Sequence, residues 1–249
     1  MQKRVLITGG NSGIGRGIVH HFVRLGADVT FTARDAAKGA AVEAETANLG
    51  NPARFIACDL SVEAQVQQLI SQLNGLDVLV NIAGLGSRRA EVETSDSPGA
   101  RWDKLRGPNL DSTWLVSAHA LPLLAKSGKG AIVNISSTAS LHGNWGLYCV
   151  AKAAVEALTR SLAAEGAPHG IRANCITPGP VMCEDGPWAY IRDNMKEFYE
   201  DTLSKIPMGR LTDGDELART IAFIASPSCK AMTGANIVVD GGYTKRVQF

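Results

Sequence analysis

Tyr148 and Lys152 stand four residues apart, the spacing that puts two side chains on one face of a helix. A free phenol ionises at about 10, and a neighbouring ammonium favours the phenolate and lowers that value. A phenol tuned in this way gives a proton to a carbonyl oxygen or takes one from an alcohol. The second chemical signal is the run Thr8-Gly9-Gly10-Asn11-Ser12-Gly13-Ile14-Gly15. Residues without side chains let a diphosphate approach the backbone. A helix that starts there turns free N–H groups and the positive end of its dipole toward the phosphates.

Both signals need a frame to hold them. Val5 to Thr8 is a short β-branched run entering the glycine turn, and Ile14, Ile18, Phe22 and Leu25 recur at helical spacing behind it. Similar runs are Val29 to Thr32, Arg54 to Ala57, Val78 to Asn81, Ala131 to Ile135, Ile171 to Ile176 and Asn236 to Val239, most of them separated by helical patterns. Apolar strands without polar alternation belong to a sheet covered on both faces, and β-α-β alternation implies a parallel, doubly wound sheet. The expectation is an α/β fold, a single-domain Rossmann-type doubly wound parallel sheet of about seven strands. Residues 1–249 would form one dinucleotide-binding and catalytic domain, with no room for a separate substrate domain. The stretch Gly179 to Pro207 reads as irregular and holds Met182, Trp188, Tyr190, Met195, Phe198 and Tyr199. Such an insertion is expected to be a substrate lid near 180–207.

Composition excludes several function classes. Twenty-five Lys and Arg against 24 Asp and Glu leave a net charge of +1, which gives no electrostatic reason to expect nucleic acid or an anionic membrane as partner. Apolar residues at 45% and charged residues at 20% match a globular domain rather than a disordered or fibrous chain. No apolar run approaches the roughly 18 residues of a membrane span, and the run after Lys3 and Arg4 is too short for a signal-peptide core. The five cysteines, Cys58, Cys149, Cys175, Cys183 and Cys229, are scattered and include no C-x-x-C. Neither a disulfide framework nor a metal site is expected, and the chain reads as a reduced, cytoplasmic enzyme.

The spacing T-G-x-x-x-G-x-G resembles that of the short-chain dehydrogenase/reductase family, and further motifs follow in the family's order along essentially the whole chain. Cys58-Asp59-Leu60 looks like the acidic residue after the third strand, which in the family contacts the adenine ring. Asn81-Ile82-Ala83-Gly84 resembles the N-N-A-G segment, with Ile82 in place of its second Asn. Asn109 matches a helix Asn that holds a proton-relay water. Asn134-Ile135-Ser136-Ser137 resembles the serine segment, Tyr148 to Lys152 is Y-x-x-x-K, and Pro178-Gly179 and Asp240-Gly241-Gly242 follow the last two strands. The resemblance implies a catalytic set of Asn109, Ser137, Tyr148 and Lys152. Ser137 would orient the reacting oxygen, and Lys152 would also hold the nicotinamide ribose. It implies cofactor contacts at Gly9, Asn11, Ser12, Gly13, Ile14, Gly15, Asp59, Leu60, Asn81, Ala83, Gly84, Tyr148, Lys152, Pro178, Gly179 and Val181.

Two departures from the family pattern stand out. Ser137 precedes Tyr148 by eleven residues, where thirteen is usual, so the connecting loop should be shorter by two; Ser136 and Ser140 are the other hydroxyls nearby. Cys183 stands where the family often has a Thr touching the nicotinamide carboxamide, and a thiol is a weaker donor. The second strand ends Phe31-Thr32-Ala33-Arg34-Asp35. An acidic residue at that strand end would bond a ribose 2′-hydroxyl; Ala33 holds that position, and Arg34 next to it suits a 2′-phosphate. NADP(H) is therefore expected over NAD(H), with Asp35 the residue that a one-position register change would bring closer.

The substrate class is a small-molecule ketone and its secondary alcohol, with an apolar or aromatic body. A 3-oxoacyl thioester remains an alternative, as does a non-catalytic nucleotide-sensing member of the same fold; a relative that reduces C=C bonds or epimerises is a third reading, against which the close Tyr–Lys spacing and the chain length count. His142 and Trp145 either line the pocket or serve as a surface His and a packing Trp, and Arg88 and Arg89 read as a solvated face. Ala153, Ala154, Ala157 and Ala163 on the helix of Tyr148 permit close helix approach, and the family resemblance implies a homotetramer. The tail Lys245 to Phe249 either docks on a neighbouring subunit or frays.

Overall fold

The computed structural model describes residues 2–86, 96–142 and 145–245. Seven parallel strands form one sheet in the order β3-β2-β1-β4-β5-β6-β9: β1 (Arg4–Thr8), β2 (Asp28–Ala33), β3 (Arg54–Ala57), β4 (Val78–Asn81), β5 (Ala131–Ile135), β6 (Arg172–Pro178) and β9 (Asn236–Val239). Two further strands, β7 (Val181–Met182) and β8 (Thr212–Asp213), pair only with each other. The helices are α1 (Gly13–Arg24), α2 (Ala36–Thr46), α3 (Glu63–Ser71), α4 (Pro98–Arg106), α5 (Ser112–Ser127), α6 (Gly146–Gly166), α7 (Pro187–Asn194), α8 (Lys196–Ser204) and α9 (Gly214–Ile224).

Successive strand residues point to opposite faces, and both faces are dry. Val5 and Ile7 of β1, with Val78 and Val80 of β4, pack against Ile18 and Phe22 of α1, Val42 of α2 and Leu217 and Ile221 of α9. Leu6, Leu79 and Ile132, one position out of phase, pack on the other side with Val66 and Leu69 of α3, Val116 and Leu124 of α5 and Leu162 of α6. Strands buried on both faces, such as β4 and β5, read as continuous apolar runs, whereas the edge strands β3 and β9 are only partly covered.

Some boundaries differ from the sequence reading. Leu25 closes α1 as its C-cap and is 61% exposed, outside the apolar stripe. Pro178 ends β6 in register with Val239 rather than following the strand. The stretch from Gly179 to Pro207 is not irregular; it contains β7, α7 and α8. Pro187 starts α7, where its missing N–H leaves nothing unsatisfied, and Trp188 of α7 stacks on Phe198 of α8 with ring centroids 6.0 Å apart.

The order of strands reverses between β1 and β4. The glycine turn follows β1 and the 81–84 segment follows β4, so both lie at the carboxyl edge at this switch point, where open α/β sheets bind ligands.

Candidate active site

The glycine turn is built by close approach. Gly9 and Gly10 donate to the Thr32 carbonyl at 2.7 and 3.2 Å. Gly9 has φ +71°, and a Cβ there would sit 2.8 Å from the Ala83 Cα; a Cβ on Gly15 would sit 2.0 Å from the Gly9 carbonyl oxygen. Thr8 joins the two segments, its Oγ1 accepting from the Ile82 and Ala83 amides at 3.1 Å each. Ser12 is the N-cap of α1 but places no side-chain cap on it. The Gly13 amide instead donates to Oδ2 of Asp185 at 2.9 Å, and Arg16 lies 3.6 Å from the same oxygen. An anion thus already sits on the helix end, as expected of free N–H groups at a positive dipole.

Asn81, Ala83 and Gly84 divide their work. Asn81 is 2% exposed and donates to Ser117 Oγ and Asn134 Oδ1, both at 2.9 Å, while Asn134 donates to Thr159. Its side chain therefore ties β4 to α5 and β5. Gly84 opens onto the interior: a Cβ there would lie 2.7 Å from Asn109 Oδ1 and 3.6 Å from Lys152 Nζ. Asn109 is wholly buried in a π-helical turn, Gly107–Asp111, between α4 and α5. Its Nδ2 donates to the Leu105 carbonyl, and its Oδ1 has no hydrogen-bond partner among the described residues. A buried carbonyl oxygen left unpaired costs about 1–3 kcal/mol, and π turns recur where a side chain must be re-aimed at a site.

The proton-transfer group assembles on α6. Ser137 stands near enough to the Tyr148 phenol to favour its ionised form, and its Oγ accepts from the Ala139 amide at 3.2 Å. Lys152 is 5% exposed, donates to the Ile135 carbonyl at 3.0 Å and lies 5.9 Å from the Tyr148 ring centroid. Burial lowers the Lys152 ammonium to about 8, opposed weakly by Cys175. The acidification expected from the neighbouring ammonium is not found. Burial pushes Tyr148 above its ordinary value, and the opposing effect is the Ser137 hydrogen bond rather than Lys152. Spacing brings the two side chains to one face, but the ammonium is aimed at a carbonyl and is itself costly to charge in that place.

Ser136 faces away from the phenol and bonds the Lys152 carbonyl and Glu156, so of the adjacent pair it is Ser137 that meets Tyr148. Asp59 accepts from the amide and hydroxyl of Ser61, which hold its carboxyl below the ordinary value with a smaller contribution from Arg34. Leu60 is buried beside it. Asp35 is the N-cap of α2 and accepts from the Lys38 amide at 3.0 Å. Its carboxylate is therefore engaged, while Arg34 is exposed at the end of β2. Gly179 packs on Asp240, and Val181 lies in β7. The Cys183 thiol is pushed up to about 12 by burial and by Asp185, Asp213, Asp215 and Glu184, so it stays neutral.

Other expectations resolve unevenly. His142 meets Tyr243 edge-on at 5.8 Å. Ala153 and Ala157 are exposed on α6, whereas Ala163 is buried in the core and does not belong to that face. Arg88, Arg89 and the tail beyond Lys245 lie outside the described residues. Sequence reasoning missed Asp185, Thr8 as a connector and Glu156. Only Thr8 had a local signal, its place in the glycine motif.

A family model described as enoyl-(acyl carrier protein) reductase matches residues 9–244. A 3-oxoacyl-[acyl-carrier-protein] reductase of Chlamydia pneumoniae is 34% identical over 97% of this chain and 97% of its own length. Meso-2,3-butanediol dehydrogenase of Serratia marcescens is 35% identical over 97% of this chain and 94% of its own. The crystal structure of a short-chain type dehydrogenase/reductase from Mycobacterium marinum superposes with a TM-score of 0.85 at 31% identity, covering 98% of this chain and 96% of that one.

Proposed function

The chain belongs to the short-chain dehydrogenase/reductase family, and from that premise we propose that this oxidoreductase interconverts a ketone and a secondary alcohol with NADP(H), Tyr148 acting as general acid and base. The observation that carries the reading is the meeting of three groups at one place: the Tyr148 phenol, the Ser137 hydroxyl near it, and Lys152 over its ring. The unpaired Asn109 Oδ1, with Gly84 leaving it uncovered where a Cβ would clash, fits a dinucleotide with ordered water around it, as does the anion-accepting end of α1. Residues 9–15, Asp59, Leu60, Asn81, Ala83, Gly84, Pro178, Gly179 and Val181 would hold it, with Lys152 on its ribose. A bound nicotinamide donates or accepts the hydride.

In the reductive direction Tyr148 gives its proton to the carbonyl oxygen as a C–H bond forms at the carbonyl carbon, and the C=O π pair becomes the new O–H bond. Ser137 hydrogen-bonds the same oxygen as charge builds on it. Lys152 and a water held by Asn109 return a proton to the phenol. The substrate lies under α7 and α8, whose stacked Trp188 and Phe198 suit an apolar body. Exposed Ala153 and Ala157 on α6 fit a homotetramer.

The test is a panel of ketones, 3-oxoacyl thioesters and secondary alcohols, with nicotinamide absorbance followed for both cofactors. Turnover of a carbonyl with NADPH supports the proposal; cofactor binding without turnover of any of them favours the sensor alternative. The engaged Asp35 and exposed Arg34 support NADP(H). Arg34→Ala is expected to weaken NADPH binding by about 1.5–3 kcal/mol, roughly 10- to 150-fold in Kd, with NADH nearly unchanged. Equal changes for the two cofactors would show that Arg34 meets no 2′-phosphate.

A further inference from the structure

Ser137 depends on its neighbours for its position. It has extended backbone at the start of a single tight turn, Thr138–Leu141. The residues bracketing it, Ser136 and Ser140, reach the same atom: Oε1 of Glu156 lies 2.8 Å from Ser136 Oγ and 2.5 Å from Ser140 Oγ. Thr177 Oγ1, on β6, lies 3.3 Å from it as well. Ser140 Oγ is also 2.7 Å from the Ser137 carbonyl, and Ser136 Oγ is 2.9 Å from the Lys152 carbonyl. Glu156 stands one helical turn beyond Lys152 and two beyond Tyr148 on α6. Burial and the charge of Glu156 together push the neighbouring Cys175 thiol up to about 12, so the carboxylate faces this interior.

We infer that Glu156 is the positioning residue of the proton-transfer site: its carboxylate clamps the Ser136–Ser140 turn onto the helix that carries Tyr148 and so fixes the Ser137 hydroxyl against the phenol. The inference rests on the assignment of Ser137 and Tyr148 proposed above. Hydrogen bonds to a charged acceptor are stronger and shorter than neutral ones. One oxygen that gathers the hydroxyls of Ser136, just past β5, and Ser140, in the following turn, removes the freedom of the segment between them. A 1 Å misplacement of a group that must meet a reacting atom costs about 100-fold. The short Ser137–Tyr148 connection makes this anchoring more consequential, because the hydroxyl must reach the phenol from a turn with little slack.

The experiment compares Glu156→Ala, Glu156→Gln, Ser137→Ala and the Glu156→Ala/Ser137→Ala double variant. Glu156→Ala is expected to lower kcat about 10- to 100-fold, with cofactor Kd, read by nicotinamide fluorescence, within about twofold. Glu156→Gln keeps an acceptor oxygen and should retain most of kcat. The double variant should match Ser137→Ala within about threefold, because contacting residues acting through one group are not additive. Losses that multiply, or a Gln variant as impaired as the Ala one, overturn the inference. An ultraviolet titration of tyrosinate, each variant differenced against its Tyr148→Phe counterpart, gives a readout that needs no turnover. Glu156→Ala should move the Tyr148 ionisation upward as Ser137→Ala does, and an unmoved ionisation overturns the inference. If the wild-type protein turns over no carbonyl, the oxidoreductase proposal fails while this titration still decides the clamp.

Discussion

Replacing Tyr148 by Phe should lower turnover at least about 100-fold while dinucleotide affinity stays within about threefold. The ring and its packing survive, so what is lost is the one phenol O–H near Ser137. Because burial keeps the phenol protonated well above neutral pH, the acid form needed for carbonyl reduction is fully populated from about pH 6 to 8. Reduction should therefore show no titration from Tyr148 in that window, whereas alcohol oxidation, which needs the phenolate, should accelerate as pH rises. Steady-state kinetics in both directions, with cofactor binding measured separately, checks this. A Phe variant that keeps wild-type turnover removes Tyr148 from the chemistry.

Lys152→Met should abolish most activity and yet raise the melting temperature. The ordinary ammonium value of 10.5 falls to about 8 in the folded chain, which corresponds to about 3 kcal/mol spent on keeping this buried group charged at neutral pH. The Met side chain has similar bulk and no charge. Leaving the Ile135 carbonyl without its donor costs about 1 kcal/mol, so the net gain is about 2 kcal/mol, or roughly 4–8 °C for a chain of this size. The sign follows from proton counting. Above about 8 the unfolded chain holds more protons on this lysine than the folded one does, so Lys152 makes wild-type stability rise with pH. Above about 9 the raised Cys175 and Cys183 values work in the opposite direction, joined above about 10 by Tyr148. Melting curves between pH 7 and 9 should show the rise in the wild type and a flatter profile in the variant. A variant less stable at pH 7, with the wild-type slope unchanged, would contradict the argument. Stability given up at the site in exchange for a usable lysine is a familiar trade.

The strands, the glycine turn and the Tyr148–Lys152 pair were legible because each rests on local pattern: β-branched runs, residues without side chains, and the i, i+4 rule. Asn109 was legible by family order, but its π-helical turn was not, since α4 is short and mostly polar and shows no period that a π turn would break. The two-residue strands β7 and β8 carry no periodic signal at all. Asp185 meets Gly13 across 172 positions and Ser136 meets Glu156 across 20; contacts of that kind are made by the tertiary fold. The tuning of the phenol was misjudged for a related reason. Spacing says which groups are neighbours, while the dominant effect on Tyr148 is how little water surrounds its hydroxyl, which only packing determines.

The bond from Asp185 to the first turn of α1 gives the crevice a resident rival to any phosphate. The Gly13 amide has a single hydrogen to offer, and Arg16 leans on the same carboxylate. A ligand that claims that hydrogen must evict Asp185, and Asp185 stands two residues before Pro187 opens α7. Anion binding at α1 and the placement of the residues that lead into α7 are then coupled, because a single donor cannot serve two anions.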